Sequence, residues 1–133
     1  MTDKEFLVCA GSGIMGSCLT LLFGNLSGVF VALILLMVLD YITGVVNGIK
    51  EKKLSSEISF WGLVKKTIIL IIVIVGNAVD TWVFKGGNVR GVVICFYIAN
   101  EAMSIIENSA KLGVPVPKKL KEVLAQLKEE DDG

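Results

Sequence analysis

Asp40, Asp80 and Glu101 stand in stretches otherwise almost bare of charge, and each lies on a polar row at helical spacing. Asp40, Thr43, Gly44, Asn47 and Gly48 follow i, i+3, i+4, i+7 and i+8. Gly76, Asn77, Asp80 and Thr81 repeat the pattern, and Tyr97, Asn100, Glu101, Ser104 and Asn108 form the longest row. On an α-helix each row is one face. A carboxylate placed this way can take up a proton, line water or hold a neighbouring helix by hydrogen bonds. A charge at the centre of a bilayer costs at least about 2.5–3.5 kcal/mol, so these faces are expected to meet protein or water, not lipid. No basic residue is read as deep enough to neutralise Asp40 or Glu101 within one chain. They are therefore expected to be protonated or to line water in an assembly. Asp80, nearer the end of its segment, has Lys85 and Arg90 as expected partners.

The same residues argue against catalysis. Two aspartates that share a proton must sit close together, and Asp40 at mid-segment is far from Asp80, so an intramembrane aspartyl protease is disfavoured. The chain has no histidine, which removes the commonest general base and metal ligand. Cys9, Cys18 and Cys95 lie in apolar stretches without CxxC spacing. No catalytic residue, metal or cofactor is expected. A net charge of zero offers no basic field for nucleic acid.

The elements that must position these faces are membrane helices. The chain is 53% hydrophobic and 20% charged, against about 25% charge in soluble domains, and its mean hydropathy is +0.72. Charge clusters in 1–5, 50–66 and 107–133, leaving apolar stretches between. A span needs roughly 20 apolar residues. The pattern predicts an all-α membrane protein with spans at about 6–23, 28–49, 63–84 and 89–106, or three spans if the first does not cross. A loop at 50–62 joins the second and third, and 111–133 forms a tail outside the 1–110 membrane domain. Trp61 and Trp82 are expected interface anchors. Both prolines, Pro115 and Pro117, fall in the tail, leaving each apolar segment free to be helical.

Lysines set the orientation. Lys50, Lys52, Lys53, Lys65 and Lys66 crowd one connection, and Lys118, Lys119 and Lys121 lead the tail. The positive-inside rule assigns both to the cytoplasm, at the membrane surface, and makes the C-terminus cytoplasmic. After Pro117, which suits a first helical turn, Leu120, Val123, Leu124 and Leu127 keep helical spacing. Glu129, Glu130, Asp131 and Asp132 close the helix, an order that opposes the helix dipole. Lysines near an anionic inner leaflet would explain it.

The first segment is rich in small residues. Ser12, Gly16, Thr20 and Gly24 recur every fourth position, beside Cys9, Gly13 and Ser17. Such rows let helix backbones approach closely in lipid. They are read as a packing face for oligomerisation, with Gly44 and Gly48 in the second segment. The residues before it, Thr2-Asp3-Lys4-Glu5, lack the positive excess of a signal peptide.

Taken in order, Leu39-Asp40-Tyr41-Ile42-Thr43-Gly44, Lys52-Lys53-Leu54-Ser55-Ser56, Lys65-Lys66, Asn77 to Asp80, Phe96-Tyr97-Ile98-Ala99-Asn100-Glu101, Ser104 to Asn108, and Gly113-Val114-Pro115-Val116-Pro117-Lys118-Lys119-Leu120 resemble the toxin secretion/phage lysis holin family. The resemblance covers about residues 30–128. It implies a phage-encoded or phage-derived protein that self-assembles in the bacterial plasma membrane. There it opens a lesion through which a cell-wall hydrolase or, in relatives, a large toxin leaves the cytoplasm. It implies no catalytic site. A small proton-coupled exporter is the alternative that buried carboxylates in a short chain also allow.

Overall fold

The computed structural model describes residues 1–132, with the side chains of Lys128, Glu130, Asp131 and Asp132 outside the description. The expected acidic close of the tail is therefore described only at Glu129. The chain forms α1 (Asp3–Phe23), α2 (Gly28–Lys50), α3 (Ser56–Ala78) continued by a π-helical turn (Val79–Val83), α4 (Val89–Lys111) and α5 (Lys118–Asp132). It is all-helical among the described residues. Four helices, α1, α2, α3 with its π-turn, and α4, are long and apolar enough to cross a membrane.

The ends of these helices are written locally. Thr2 and Glu5 make a reciprocal capping box at the start of α1. Gly24 ends that helix at φ 81°. A side chain at Gly24 would be strained there, and its Cβ would stand 2.6 Å from the Asn77 amide oxygen. Ser55 caps α3 by accepting from the Ile58 N–H. That cap places the start of α3 at Ser56, ahead of the expected 63. The connection from α2 shrinks to 51–55, and Lys65 and Lys66 fall inside the helix, not at its edge. The fourth helix likewise runs on to Lys111, beyond the 106 at which its span is expected to end.

α4 is the hub of the bundle, packing against α2, α3 and α5, whereas α2 and α3 touch each other little. Phe30, Leu33 and Met37 of α2, Ile69 and Val73 of α3, and Ile94 of α4 form one apolar core. It fills the half of the bundle nearer the α1–α2 and α3–α4 connections. Most other large apolar side chains point outward, among them Val31, Leu35, Val38, Ile42 and Val46 along α2 and Ile68, Ile71 and Val75 along α3. In water this shell would be a liability; against lipid tails it is the surface a spanning bundle needs.

One close approach locks α3 to α4. A Cβ at Gly76 would lie 3.1 Å from the Arg90 Cα and 3.3 Å from its backbone N, neither of which can yield as a side chain does. Gly76→Val is expected to overpack this crossing and cost about 1–3 kcal/mol. The expected readout is loss of the folded bundle at lower dodecyl sulfate fraction in a mixed-micelle titration. Gly62→Val, where a Cβ meets open space, should not shift the midpoint.

Candidate functional site: a charged cluster inside the bundle

Where the apolar core ends, three helices bring charged side chains to one point. The Lys66 ammonium of α3 donates to Asp40 Oδ2 of α2 at 2.7 Å and to Glu101 Oε2 of α4 at 2.6 Å. Side-chain exposure is 16% for Lys66, 14% for Asp40 and 4% for Glu101. Lys66 was expected at the membrane surface, and Asp40 and Glu101 were expected to lack a basic partner within the chain. Both expectations are corrected by this pairing. The physical reason is the early start of α3, which carries Lys66 to the depth of the two carboxylates.

The second oxygen of Asp40 is also engaged. Asn108 Nδ2 donates to Asp40 Oδ1 at 3.2 Å and to Thr43 Oγ1 at 3.0 Å. Thr43 in turn donates to the Asp40 carbonyl. Gly44 lies on the same face, where a Cβ would make only an ordinary contact with the Asn108 amide at 3.7 Å. Asn47, one turn further along α2, is 7% exposed, and its Oδ1 has no hydrogen-bond partner among the described residues. The polar rows of α2 and α4 therefore face each other across the half of the bundle nearer the α2–α3 connection. Asn100 and Ser104 are half-buried on α4. Tyr97 lies on the apolar side of the divide, packed on the core and edge-on to Phe96.

The row on α3 does different work. Asp80, on the π-helical turn, accepts from the backbone N–H of Val89 and Arg90, each at 2.9 Å. It caps α4, whose own Asn88 makes no side-chain cap, and its charge complements the helix dipole. The expected pairing of Asp80 with the Lys85 and Arg90 side chains is replaced by this backbone contact. Asn77 donates to the carbonyls of Leu21 and Leu22. The Arg90 guanidinium donates to those of Phe23 and Asn25 and lies 5.9 Å over the Phe30 ring. Thr81 is exposed.

These bonds hold the end of α1, together with the packing of Phe23 on the apolar core. α1 has no buried residue and packs mainly along α3, with Phe23 at its end against the Phe30 ring of α2 at 5.2 Å. The small-residue row Ser12, Gly16, Thr20 and Gly24 lines an open groove of about 760 Å³ with Asn77 and Thr81. Gly48 of α2 instead admits Leu54, which would stand 3.4 Å from a Cβ there. At the opposite end, Lys50 donates to the Lys111 carbonyl and so caps α4. Lys52, Lys53, Lys65, Lys118, Lys119 and Lys121 are exposed.

Chemically, the cluster can join three helices through one ammonium, and its three charged groups carry one more acid than base. Sequence reasoning found both acids and missed the base.

Comparison with known proteins gives this arrangement a family. Residues 17–129 match the model of the bacteriophage holin family. An uncharacterized 14.9 kDa protein in the nagH 3′ region of Clostridium perfringens is 41% identical over 119 residues, covering 85% of this chain and 86% of that one. A probable holin of Bacillus phage phi105 is 37% identical over 111 residues, covering 84% and 82%. A second uncharacterized protein, of C. perfringens strain 13, is 38% identical over 127 residues, covering 93% and 94%. No solved structure matches.

Proposed function

The chain belongs to the bacteriophage holin family, and from that premise we propose that it is a holin that self-assembles in the bacterial plasma membrane and permeabilises it. The α2–α3 connection and the tail lie on the cytoplasmic side in this reading. A cell-wall hydrolase, or in relatives an exported toxin, is what passes. No catalytic step, cofactor or nucleic acid enters it.

The observation that carries the reading is the Asp40–Lys66–Glu101 cluster within a lipid-compatible shell. A single chain keeps its charges turned inward and is inert toward the bilayer. An assembly that parts α2 from α3, which touch little, would turn the same groups toward water and line a lesion with them. Desolvation favours the first state, and hydration of the freed charges favours the second.

Inducible expression in a bacterium tests this. The expected sequence is a delay, sudden loss of membrane potential, arrest of growth, and release of a co-expressed cytoplasmic cell-wall hydrolase. Growth that continues normally at confirmed membrane levels of the protein would overturn it. Substrate-dependent proton flux without lysis would favour the exporter.

A further inference from the structure

The C-terminal helix carries a feature that permeabilisation does not use. In α5, Leu120, Val123, Leu124 and Leu127 share one face, at about 100° of rotation per residue. Leu124 is 8% exposed, whereas Leu120, Val123 and Leu127 are 46%, 43% and 37% exposed. The helix packs on α4, so only one edge of its apolar face is covered and a strip beside it is left open. Lys119 and Lys121 stand about 100° to either side of Leu120, flanking the strip. Glu122 and Glu129 fall on the far side, together with Lys118.

We propose that this strip seats on an anionic lipid leaflet, the one at which α4 ends. Three observations point to lipid. The strip is too small for a stable protein partner, since specific interfaces bury about 800 Å² on each side, and three half-covered side chains offer a fraction of that. The charge pattern is that of an interfacial helix: apolar stripe down, lysines at the waterline, acids away. The position also fits. α4 is long and apolar enough to span, and its last residue is Lys111. The chain then turns at Gly113, at φ 85°, and a short Val-Pro-Val-Pro link brings α5 back beside it. Its packing on α4 holds α5 close to the headgroups at which α4 ends. The order of charge along α5 opposes its own dipole and is explained by this surface instead.

The inference rests on α4 spanning the membrane, not on lysis, so the two readings fail separately. The test uses the full chain with Cys9, Cys18 and Cys95 changed to serine, reconstituted in vesicles. An environment-sensitive fluorophore is attached at Leu127→Cys or, on the far side, at Ala125→Cys. With phosphatidylglycerol present, the probe at 127 should shift to the blue and resist an aqueous quencher, while that at 125 stays quenched. In phosphatidylcholine alone, or at high salt, the protection should fall. Removing two surface lysines, at about fivefold each, in Lys119→Gln/Lys121→Gln should lower the ratio of seated to free helix about 25-fold. Equal quenching at 127 in both lipids overturns the proposal. So does protection indifferent to lipid charge and salt, and so does protection that rises with protein-to-lipid ratio, which would mean that a second copy covers the strip.

Discussion

Lys66→Met is expected to weaken the three-helix core by about 3–5 kcal/mol, the loss that follows when one partner of a buried ion pair is removed. Its removal leaves Asp40 and Glu101 facing each other with no ammonium between them, and Glu101 is buried. Like charges so placed repel, and the bundle relieves the repulsion by keeping a proton between the two carboxyl groups, by parting α2 from α4 or by hydrating the gap. In a dodecyl sulfate titration the unfolding midpoint should fall. In cells, lysis should begin earlier than in the parent if the cluster holds the inert state. Lys66→Arg should retain most of the stability, since a guanidinium can also serve two carboxylates. The decisive variant is Asp40→Asn/Lys66→Met/Glu101→Gln. Replacing all three charges removes the desolvation cost along with the attraction, so most of the lost stability should return. A triple variant as unstable as Lys66→Met alone would show that packing around the lysine stem, and not charge, sets the effect.

This cluster also shows where sequence reading succeeds and where it stops. Asp40, Thr43, Glu101 and Asn108 were legible because a polar group at membrane depth has few places to go, and helical spacing collects such groups on one face. Lys66 was not legible as a core residue because a Lys-Lys pair ahead of an apolar run resembles the flank of a span. A signal was present nonetheless. Ser55-Ser56-Glu57 is a helix start, and from that start Lys66 falls on the same face as Ile69, Val73, Asn77 and Asp80 at i+3, i+7, i+11 and i+14. The apolar helices themselves were legible from hydropathy, whereas their ends depend on single hydrogen bonds such as those of Ser55 and Asp80. The partners of Asn77 and Arg90 were hidden for another reason. They are backbone carbonyls, which every residue carries and no side-chain pattern marks. The small-residue row on α1 was visible, but one chain leaves it facing an open groove.

Releasing those carbonyls gives the other large expected effect. The Arg90 guanidinium bonds the carbonyls of Phe23 and Asn25, and Asn77 bonds those of Leu21 and Leu22. The carbonyls of Leu21, Leu22 and Phe23 end a helix beside an apolar core and would otherwise need water, whereas that of Asn25, beyond the helix, also accepts from the Ser27 N–H at 2.8 Å. A hydrogen bond to a charged group contributes about 1.5–3 kcal/mol, less on the exposed Asn25 side, and one between membrane helices about 0.6 kcal/mol. Asn77→Ala/Arg90→Ala should therefore weaken the docking of α1 by about 2–4 kcal/mol, a large share of what holds a helix with no buried residue. Because α2, α3 and α4 pack through Leu33, Val73 and Ile94, with α1 adding only Phe23 at the margin, their mutual contact should persist. Spin labels at positions 7 and 71 report the difference: the distance distribution between α1 and α3 should broaden in the double variant. Labels at 35 and 92, on α2 and α4, should keep theirs. Broadening of both pairs would mean that Arg90 supports the whole bundle through the α3–α4 crossing at Gly76. No broadening of the first would mean that the contact with α3, and not the carbonyl clasp, holds α1 in place.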